Sequence, residues 1–486
     1  MRLSELLREV EFEGSIKNDF DIKFVTDDSR LVRPGALFVC IRHRSFDGHT
    51  AAAEALASGA AAVVTQERLG LENELNVADS RAAYARLCAA LCGHPERKLR
   101  MIGVTGTNGK TTVTTLIRNI LSDSGIKTLL TGTVCNRLGE ESLPSGLTTP
   151  KPPELYSLLS RAVLSGCEAC VAEASSQALA QGRLEGIAFD AAVFTNITRD
   201  HLDYHGTFEN YLAAKKKLFE HSEVSAVNLD DPRADEIIAA SSGKTVTFST
   251  VLDCADYTAK NISLLPEGVS FELVSKGRIE HINFASPGLF SVSNAMAAAV
   301  CAINLGVDPR SAAQSLARSK GVCGRLERVE CGTPYSVIID YAHTPDGLEQ
   351  VLRALRPSCR GKLIVLFGCG GDRDKTKRPL MGAAACKYAD TVIVTSDNPR
   401  SEEPMRIIGD ILNGTDKKRR GLFIEEDRRR ATALALSLAK PGDTVLLAGK
   451  GHEKYQLICG EKLPLDERET VREILGLPHD TGRKKP

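Results

Sequence analysis

Short runs of β-branched and apolar residues alternate with amphipathic stretches along almost the whole chain. The run MIGVTG at 101–106 precedes the helical pattern TTVTTLIRNILSDSG at 111–125, and KLIVLFG at 362–368 precedes KRPLMGAAACKYAD at 377–390. Apolar runs bounded by turn residues predict buried strands, and a 3.6-residue period predicts the helices that cover them. The pattern therefore predicts an α/β protein with parallel sheets flanked by helices.

Two polar breaks divide this pattern. The stretches GHPERKLR at 93–100 and GRLERVECGTP at 324–334 each precede a new strand, as expected of connections between folding units. A chain of 486 residues is also too long for one ordinary core, since domains hold roughly 100–200 residues. We expect three domains, at 1–99, 100–327 and 328–486.

The composition of the chain excludes some classes of binding partner and predicts a cellular compartment. The 62 Lys and Arg residues balance the 62 Asp and Glu residues, so no overall positive field exists to hold nucleic acid or an anionic membrane. The first residues, MRLSELLREVEFEG, mix charges with apolar positions and do not form a secretory signal. No run approaches the roughly 18 apolar residues of a membrane span. The 14 scattered cysteines are typical of reduced thiols, so the sequence predicts a cytoplasmic protein.

The segment TGTNGKTT at 105–112 has the composition of a phosphate loop. It follows a predicted strand and opens a predicted helix. Gly106 and Gly109 allow a tight turn with N–H groups directed at phosphate oxygens, Lys110 reaches the β- and γ-phosphates, and Thr111 or Thr112 ligates Mg²⁺. The spacing departs from GxxxxGK[ST], and a plain glycine-rich turn is the alternative. The order of strand, loop and helix favours nucleotide binding.

A lysine is predicted to face inward on the helix that Thr207 caps. The apolar residues of TFENYLAAKKKLFE at 207–220 define one helical stripe, and at about 100° per residue Lys215 falls within it whereas Lys217 points away. A snorkelling side chain is one interpretation; a neutralised or modified lysine near a metal is the other. His201, in the loop before this helix, and Glu173, in the strand-like run VAEASS, are the candidate Mg²⁺ ligands. A single His or Glu is more often structural.

Ordered motifs over nearly the whole chain resemble the Mur ligase family. They are DDSRLVRPGALFV, GVTGTNGKTT, LTTP, EASSQALAQGRL, TNITRDHLDYHGTFENYLAAKKK, PGLFSVSNAMAAA, GVCGRLERVE, DYAHTPDGLE, FGCGGDRDKTKRPLMG, TSDNPR and AGKGHEKYQ. Ser291 and Gln177 depart from the family pattern. The resemblance implies a UDP-binding first domain, a central P-loop ATPase-like domain with a parallel sheet, and a Rossmann-like third domain that binds an amino acid.

The resemblance also implies the roles of individual residues. ATP would contact Gly106, Thr107, Asn108, Gly109, Lys110, Thr111, Thr112, Asn294, Arg325, Asp340 and His343. The UDP-muramoyl peptide would contact Ser29, Thr148, Thr149, Ser175, Gln181 and Arg183. Mg²⁺ would be held by Thr111, Glu173 and His201; Lys110, His201 and Lys215 would be catalytic, and Lys215 would be carbamylated. The family further implies a reaction that joins an amino acid to a UDP-muramoyl dipeptide with ATP, in a monomeric enzyme.

The string DNPR at 397–400 is the feature that bears on the choice of amino acid. Locally it is an ordinary polar turn, but within the family it resembles the version that accepts meso-diaminopimelate. The implied pocket consists of Arg373, Asp397, Asn398, Arg400, Gly449 and Glu453. A guanidinium at Arg400 suits the second carboxylate, and Glu453 suits the distal ammonium. The alternatives are the same reaction with L-lysine, a folate-polyglutamate ligase, and a nucleotide-dependent binding switch without a second substrate.

Overall fold

The computed structural model describes residues 1–14, 16–43, 46–265, 267–319, 321–416 and 418–478. Three α/β units follow one another along this part of the chain, each built on its own sheet. Within the described ranges, no helix is long and apolar enough to cross a membrane. The predicted α/β class is confirmed.

The first unit holds a four-stranded parallel sheet in the order β1-β2-β3-β4. Asp79 starts its longest helix, because its carboxylate accepts hydrogen bonds from the backbone N–H groups of Arg81 and Ala82. The strands are β1 (Phe24–Thr26), β2 (Ala36–Val39), β3 (Ala62–Thr65) and β4 (Glu74–Asn76), and the helices are α1 (Leu3–Leu6), α2 (Ala52–Ala57) and α3 (Ser80–Leu91).

The second unit is built on an eleven-stranded sheet among the described residues, in the order β15-β14-β13-β12-β11-β10-β5-β9-β6-β7-β8. Its strands are β5 (Arg100–Thr105), β6 (Thr128–Thr131), β7 (Asn136–Leu138), β8 (Glu141–Leu143), β9 (Ala169–Glu173), β10 (Phe189–Phe194), β11 (Ser222–Asn228), β12 (Lys244–Ser249), β13 (Tyr257–Leu265), β14 (Gly268–Ser275) and β15 (Arg278–Phe284). Its helices are α4 (Lys110–Asp123), α5 (Pro152–Leu164), α6 (Ser176–Ala180), α7 (Leu202–His205), α8 (Phe208–Lys216), α9 (Ala234–Ala240), α10 (Leu289–Asn304) and α11 (Pro309–Arg318).

This central sheet is parallel only in its middle. Strands β13 to β6 run parallel, whereas β14 and β15 at one end and β7 and β8 at the other are antiparallel. The end strands are joined by short connections, which allow antiparallel pairing but no parallel crossover. The parallel middle places the carboxyl ends of β5, β9 and β10 side by side, and the candidate site forms at that edge.

The third unit has a six-stranded sheet in the order β16-β17-β21-β18-β19-β20 and a separate hairpin, β22-β23, within the described chain. The strands are β16 (Glu327–Arg328), β17 (Ser336–Asp340), β18 (Leu363–Phe367), β19 (Thr391–Val394), β20 (Leu422–Ile424), β21 (Thr444–Ala448), β22 (Tyr455–Ile458) and β23 (Glu461–Pro464). The helices are α12 (Pro345–Leu355), α13 (Lys377–Tyr388), α14 (Pro404–Leu412), α15 (Arg428–Leu438) and α16 (Glu467–Ile474).

Packing does not follow the expected boundaries strictly. One buried cluster joins Leu87 of α3 to Leu159 of α5 and Phe194 of β10, so the first two units share a core across residue 99. Strand β16 begins at Glu327 and pairs with β17, one residue before the expected third domain. We retain 1–99, 100–327 and 328–486 as a proposed division.

Candidate active site

The phosphate-loop segment turns between β5, which ends at Thr105, and α4, which begins at Lys110. Gly109 has a φ of 89°, and a Cβ there would lie 2.5 Å from Oδ1 of Asn294, so the position requires glycine. Lys110 Nζ donates to the carbonyls of Gly106 at 2.8 Å and Thr107 at 2.9 Å. The ammonium is thus held inside the turn, next to the helix N-terminus that favours an anion.

Neighbouring segments fix the shape of this loop. The N–H of Asn108 donates to Oδ1 of Asn196 at 3.0 Å, and the hydroxyl of Thr107 lies 2.9 Å from that of Tyr211. Asn108 Nδ2 also donates to Oδ2 of Asp346 at 3.1 Å, so the loop contacts α12 of the third unit. A loop tied at both sides is preorganised before any ligand binds.

Glu173 ends β9 beside the phosphate loop and is buried. Its Oε2 accepts hydrogen bonds from the hydroxyls of Thr111 at 3.1 Å and Thr133 at 2.9 Å, and its Oε1 accepts from the backbone N–H of Thr133 at 2.8 Å. A carboxylate with hydroxyls beside it is an oxygen donor set that fits Mg²⁺. In the part of the chain that the structure describes, no three His, Cys, Asp or Glu side chains group to hold a metal, so phosphate oxygens or water would have to complete the set.

His201 lines the same cavity and lies at the start of α7, with a φ of 53°. The carboxylate of Asp200 accepts a hydrogen bond from the backbone N–H of His201 at 2.9 Å. Burial lowers the pKa of His201 to about 4, and the charges of Lys110 and Lys215 act in the same direction. The imidazole is therefore neutral near pH 7, the state in which it can ligate a metal.

Lys215 faces inward as the helical stripe predicts. Thr207 caps α8 by accepting a hydrogen bond from the N–H of Asn210 at 3.2 Å, and Lys215 is 1% exposed while Lys217 is exposed. Its Nζ lies 4.6 Å from the centroid of the Tyr211 ring. Burial and the nearby charge of Lys110 hold the pKa of Lys215 well below its usual value. The side chain is buried to its end, so the snorkelling interpretation is wrong.

One cavity of about 440 Å³ lies between the second and third units. From the sequence-predicted set it brings together Gly106, Thr107, Asn108, Gly109, Lys110, Thr111, Thr112, Thr148, Glu173, Ser175, His201, Lys215, Asn294, Arg325, Asp340 and His343.

The third unit and the segment that leads into it form the opposite wall of the cavity. Arg325 Nη2 donates to the hydroxyl of Thr111 at 3.2 Å. Asp340 accepts from the N–H groups of Leu326 and Ala342, each at 2.7 Å. The ring of His343 donates to the carbonyl of Tyr341 at 2.9 Å, and burial lowers the pKa of His343.

The predicted peptide contacts form a second group beside the cavity. Thr149 donates to Oγ of Ser175 at 3.1 Å, and Arg183 donates to the carbonyl of Thr149 at 2.6 Å and to Oε1 of Gln181 at 2.8 Å. The hydroxyl oxygen of Thr148 lies 3.0 Å from that of Thr133, which links the group to Glu173. Ser29 lies apart, in a 3₁₀ turn of the first unit.

The predicted amino-acid pocket lies on the loops after β18, β19 and β21. Arg400 Nη1 donates to the carbonyl of Gly371 at 2.7 Å, and Arg373 Nη1 donates to that of Asp372 at 3.1 Å. Both of these hydrogen bonds go to backbone carbonyls, and the carboxylates of Asp397, Glu453 and Asp372 act on the pKa of Arg400 through their charge. Two guanidinium groups near each other in a pocket suit a carboxylate ligand.

The other side of this pocket carries the acidic side chains. Asn398 Nδ2 donates to Oε2 of Glu453 at 2.9 Å. Gly449 has a φ of 110°, and a Cβ there would lie 2.6 Å from Oδ2 of Asp397. Tyr341 lines the cavity, and its hydroxyl lies 3.5 Å from Oε1 of Glu453. The pocket therefore adjoins the cavity at Tyr341, and also through the backbone N–H of Gly449, which donates to the carbonyl of Asp340 at 2.9 Å.

Sequence reasoning missed three residues of this arrangement. Asp200 lines the cavity beside His201 and is within electrostatic range of Lys377 of the third unit, Tyr341 separates the cavity from the pocket, and Lys450 is buried against Glu453. The stretch AGKGHE at 448–453 placed Lys450 between two pocket residues, which was the available signal. Asp200 and Tyr341 follow from contacts across units, which no local pattern contains.

A phosphate loop facing a second α/β unit across one cavity defines a nucleotide-dependent enzyme of the α/β class. Residues 104–302 match the family described as Mur ligase middle domain, residues 324–451 match Mur ligase, glutamate ligase domain, and residues 21–89 match Mur ligase family, catalytic domain.

Individual proteins resemble the chain over its full length. The UDP-N-acetylmuramoyl-L-alanyl-D-glutamate--2,6-diaminopimelate ligases of Syntrophomonas wolfei and Clostridium tetani are 43% and 41% identical, each covering 98% of this chain and 99% of the relative. A solved structure of a ligase with the same name has a TM-score of 0.70 and 34% identity, and covers 98% of this chain and 99% of its own. The chain belongs to the Mur ligase family.

Proposed function

We propose that the protein is an ATP-dependent amide ligase that adds meso-diaminopimelate to UDP-N-acetylmuramoyl-L-alanyl-D-glutamate during peptidoglycan synthesis. The observation that carries this proposal is the contact between two sites: the cavity with Lys110, Glu173 and Lys215 adjoins, through Tyr341, the pocket with Arg400. An activated carboxylate and an incoming amine can then meet without leaving the enzyme. Relatives 43% and 41% identical carry this activity in their names.

The reaction requires activation because a carboxylate oxygen is a poor leaving group. An oxygen of the D-glutamyl carboxylate attacks the γ-phosphorus of ATP, ADP departs, and an acyl phosphate forms. The amine nitrogen of diaminopimelate then attacks the acyl carbon, loses a proton, and inorganic phosphate departs from the tetrahedral intermediate. The first step depends mainly on positioning and charge neutralisation, for which Lys110 lies at the loop.

Thr111, Glu173 and His201 are the residues we assign to Mg²⁺. Mg²⁺ would supply charge neutralisation at the phosphate oxygens. The Glu173 carboxylate is anchored by Thr133, and the neutral imidazole of His201 lines the same cavity. Asn294, Arg325, Asp340 and His343 would hold the remainder of ATP from the opposite side of the cavity.

Lys215 is proposed to act as a carbamate. A neutral amine reacts with CO₂, and the depressed pKa of Lys215 provides that neutral form. The product is a carboxylate, and an anion beside Lys110 and a cation is better accommodated than an ammonium. Carbamylation would therefore place a negative charge, which Lys110 attracts, at a position where an ammonium would be repelled.

The UDP-muramoyl peptide is proposed to extend from the first unit toward the cavity. Ser29 would lie near the UDP end, and Thr148, Thr149, Ser175, Gln181 and Arg183 would hold the peptide end. The hydrogen bonds that join this group to Thr133 and Glu173 support the assignment. A cytoplasmic location is part of the same proposal, since the 14 cysteines are free thiols. A monomeric state is proposed from the resemblance alone.

The choice of diaminopimelate over L-lysine depends on the two guanidinium groups. Each charge-assisted hydrogen bond to the extra carboxylate contributes about 1.5–3 kcal/mol. L-lysine would leave Arg373 and Arg400 without a ligand carboxylate. Glu453 would receive the distal ammonium of either amino acid, so this contact by itself does not discriminate between them.

Phosphate release tests the proposal. Purified protein is assayed with ATP, Mg²⁺ and UDP-N-acetylmuramoyl-L-alanyl-D-glutamate while meso-diaminopimelate, L-lysine and L-ornithine are supplied in turn. We expect release with diaminopimelate and at least about 100-fold lower kcat/KM with the other two. Equal rates with all three would refute the pocket assignment, and ATP turnover that needs no acceptor would favour a nucleotide-dependent switch.

A further inference from the structure

Lys450 is a fully buried lysine beside the amino-acid pocket. It follows β21, and its side chain has no exposed surface. Its Nζ donates to Oε2 of Glu453 at 2.6 Å and to Oδ1 of Asn398 at 2.9 Å, and it lies 5.3 Å from the centroid of the Tyr455 ring. A buried ammonium is stable only with such partners, so Lys450 and Glu453 form a fixed unit.

This pairing makes the two oxygens of Glu453 unequal. Oε2 accepts hydrogen bonds from both Lys450 Nζ and Asn398 Nδ2, whereas Oε1 lies 3.5 Å from the hydroxyl of Tyr341. Oε1 is therefore the oxygen left to accept from a ligand. The charge of Glu453 is also balanced by Lys450 before any ligand binds.

The balance matters because Glu453 acts on the guanidinium side of the pocket. The pKa of Arg400 is lowered by burial and by the charge of Arg373, while Asp397 and Glu453 oppose that shift. Glu453 is thus within electrostatic range of Arg400. Without Lys450, its full negative charge would repel any carboxylate that Arg400 binds.

We propose that Lys450 is a specificity-determining residue, which favours an amino acid with two carboxylates over its monocarboxylate analogue by cancelling the charge of Glu453 and orienting Asn398. This inference rests on the proposed function. meso-Diaminopimelate and L-lysine differ by one carboxylate, so interactions of Lys450 with their common parts cancel in the ratio of the two kcat/KM values. Only the interaction with the extra carboxylate remains in that ratio.

The test compares this ratio among variants, with L-lysine measured both as acceptor and as competitor of diaminopimelate. In Lys450→Met we expect the preference for diaminopimelate to fall by about tenfold or more. Lys450→Arg keeps the charge and should keep the preference. Glu453→Gln removes the opposing anion and should raise it. Lys454→Met, whose lysine side chain is 75% exposed, is the matched control and should leave it unchanged.

Two results would overturn the inference. In the first, Lys450→Met lowers kcat/KM for both amino acids by the same factor, which is the behaviour of a purely structural lysine. In the second, Lys450→Met does not fold, as judged by circular dichroism, and Glu453→Gln leaves the ratio unchanged. A wild-type protein that does not ligate diaminopimelate would instead refute the proposed function, so the two failures are distinguishable.

Discussion

The guanidinium of Arg325 donates a 3.2 Å hydrogen bond to the hydroxyl of Thr111, and this contact joins the segment leading into the third unit to the first turn of α4. Arg325 also stacks on Tyr341, with 4.7 Å between its guanidinium carbon and the ring centroid. One side chain therefore touches both the phosphate loop and the residue that borders the amino-acid pocket. We therefore expect nucleotide binding and the position of the third unit to be coupled through Arg325.

Arg325→Ala should raise the KM for ATP. A charge-assisted hydrogen bond is worth about 1.5–3 kcal/mol, which corresponds to a factor of roughly 10 to 150 in kcat/KM for ATP. Arg328→Ala is the control, because Arg328 is exposed on the neighbouring strand β16. Equal kinetics in the two variants would show that Arg325 does not contact the nucleotide.

Gly109→Ala should impair nucleotide binding beyond its effect on stability. Gly109 and Gly125 have similar φ values, 89° and 86°, but a Cβ at Gly109 would meet Asn294 at 2.5 Å, whereas one at Gly125 would meet nothing within 4 Å. Both substitutions should lower the free energy of unfolding by about 1 kcal/mol through backbone strain. Only Gly109→Ala should also raise the KM for ATP, by about tenfold or more. Urea unfolding and steady-state kinetics on the same preparations separate the two effects.

Lys215→Met should lose activity yet gain stability. The unmodified lysine is buried with a pKa far below its usual value. At any pH below the pKa that Lys215 has in the unfolded chain, the unfolded chain therefore binds more protons than the folded protein does, and this difference disfavours folding. Removing it should raise the free energy of unfolding of carbonate-free protein by about 1–2 kcal/mol. Lys217→Met, at an exposed position, should change neither property.

Carbamylation itself can be tested on the same pair of positions. Activity of Lys215→Ala should recover partly when formate or acetate is added, because a small carboxylate can occupy the space of the carbamate. The activity of Lys217→Ala should not change when these acids are added. Full activity of Lys215→Ala in their absence would exclude a catalytic carbamate.

His201 should contribute to stability in a defined pH window. Its folded pKa of about 4 lies below the ordinary value of 6.5, so the unfolded chain binds more protons between these values. Stability from this group is therefore present above about pH 6.5 and is lost as the pH falls toward 4. In His201→Gln, the unfolding free energy should change less across that pH window than in the wild type. The difference should be about 1 kcal/mol over the whole window, a value reduced because the ring is partly exposed. An unchanged slope would mean that His201 is not held neutral by its surroundings.

Much of the candidate site follows from local pattern. The loop between β5 and α4 appears in the sequence as a strand, a glycine-rich turn and a helix start, and one helical stripe selects Lys215 from three adjacent lysines. Both depend on period and spacing within a few residues. The antiparallel ends of the central sheet, in contrast, were not predicted, because strand direction depends on which strand pairs with which.

The sequence by itself determined the α/β class, the phosphate-loop segment, the inward lysine and the family, since each is encoded by residues close together in the chain or by ordered motifs. Only the tertiary structure decided that Arg325 reaches Thr111, that Tyr341 separates the cavity from the pocket, and that Lys450 neutralises Glu453. These contacts join different loops and units, and their strength depends on burial and on charges brought together by folding. No local sequence pattern specifies either quantity.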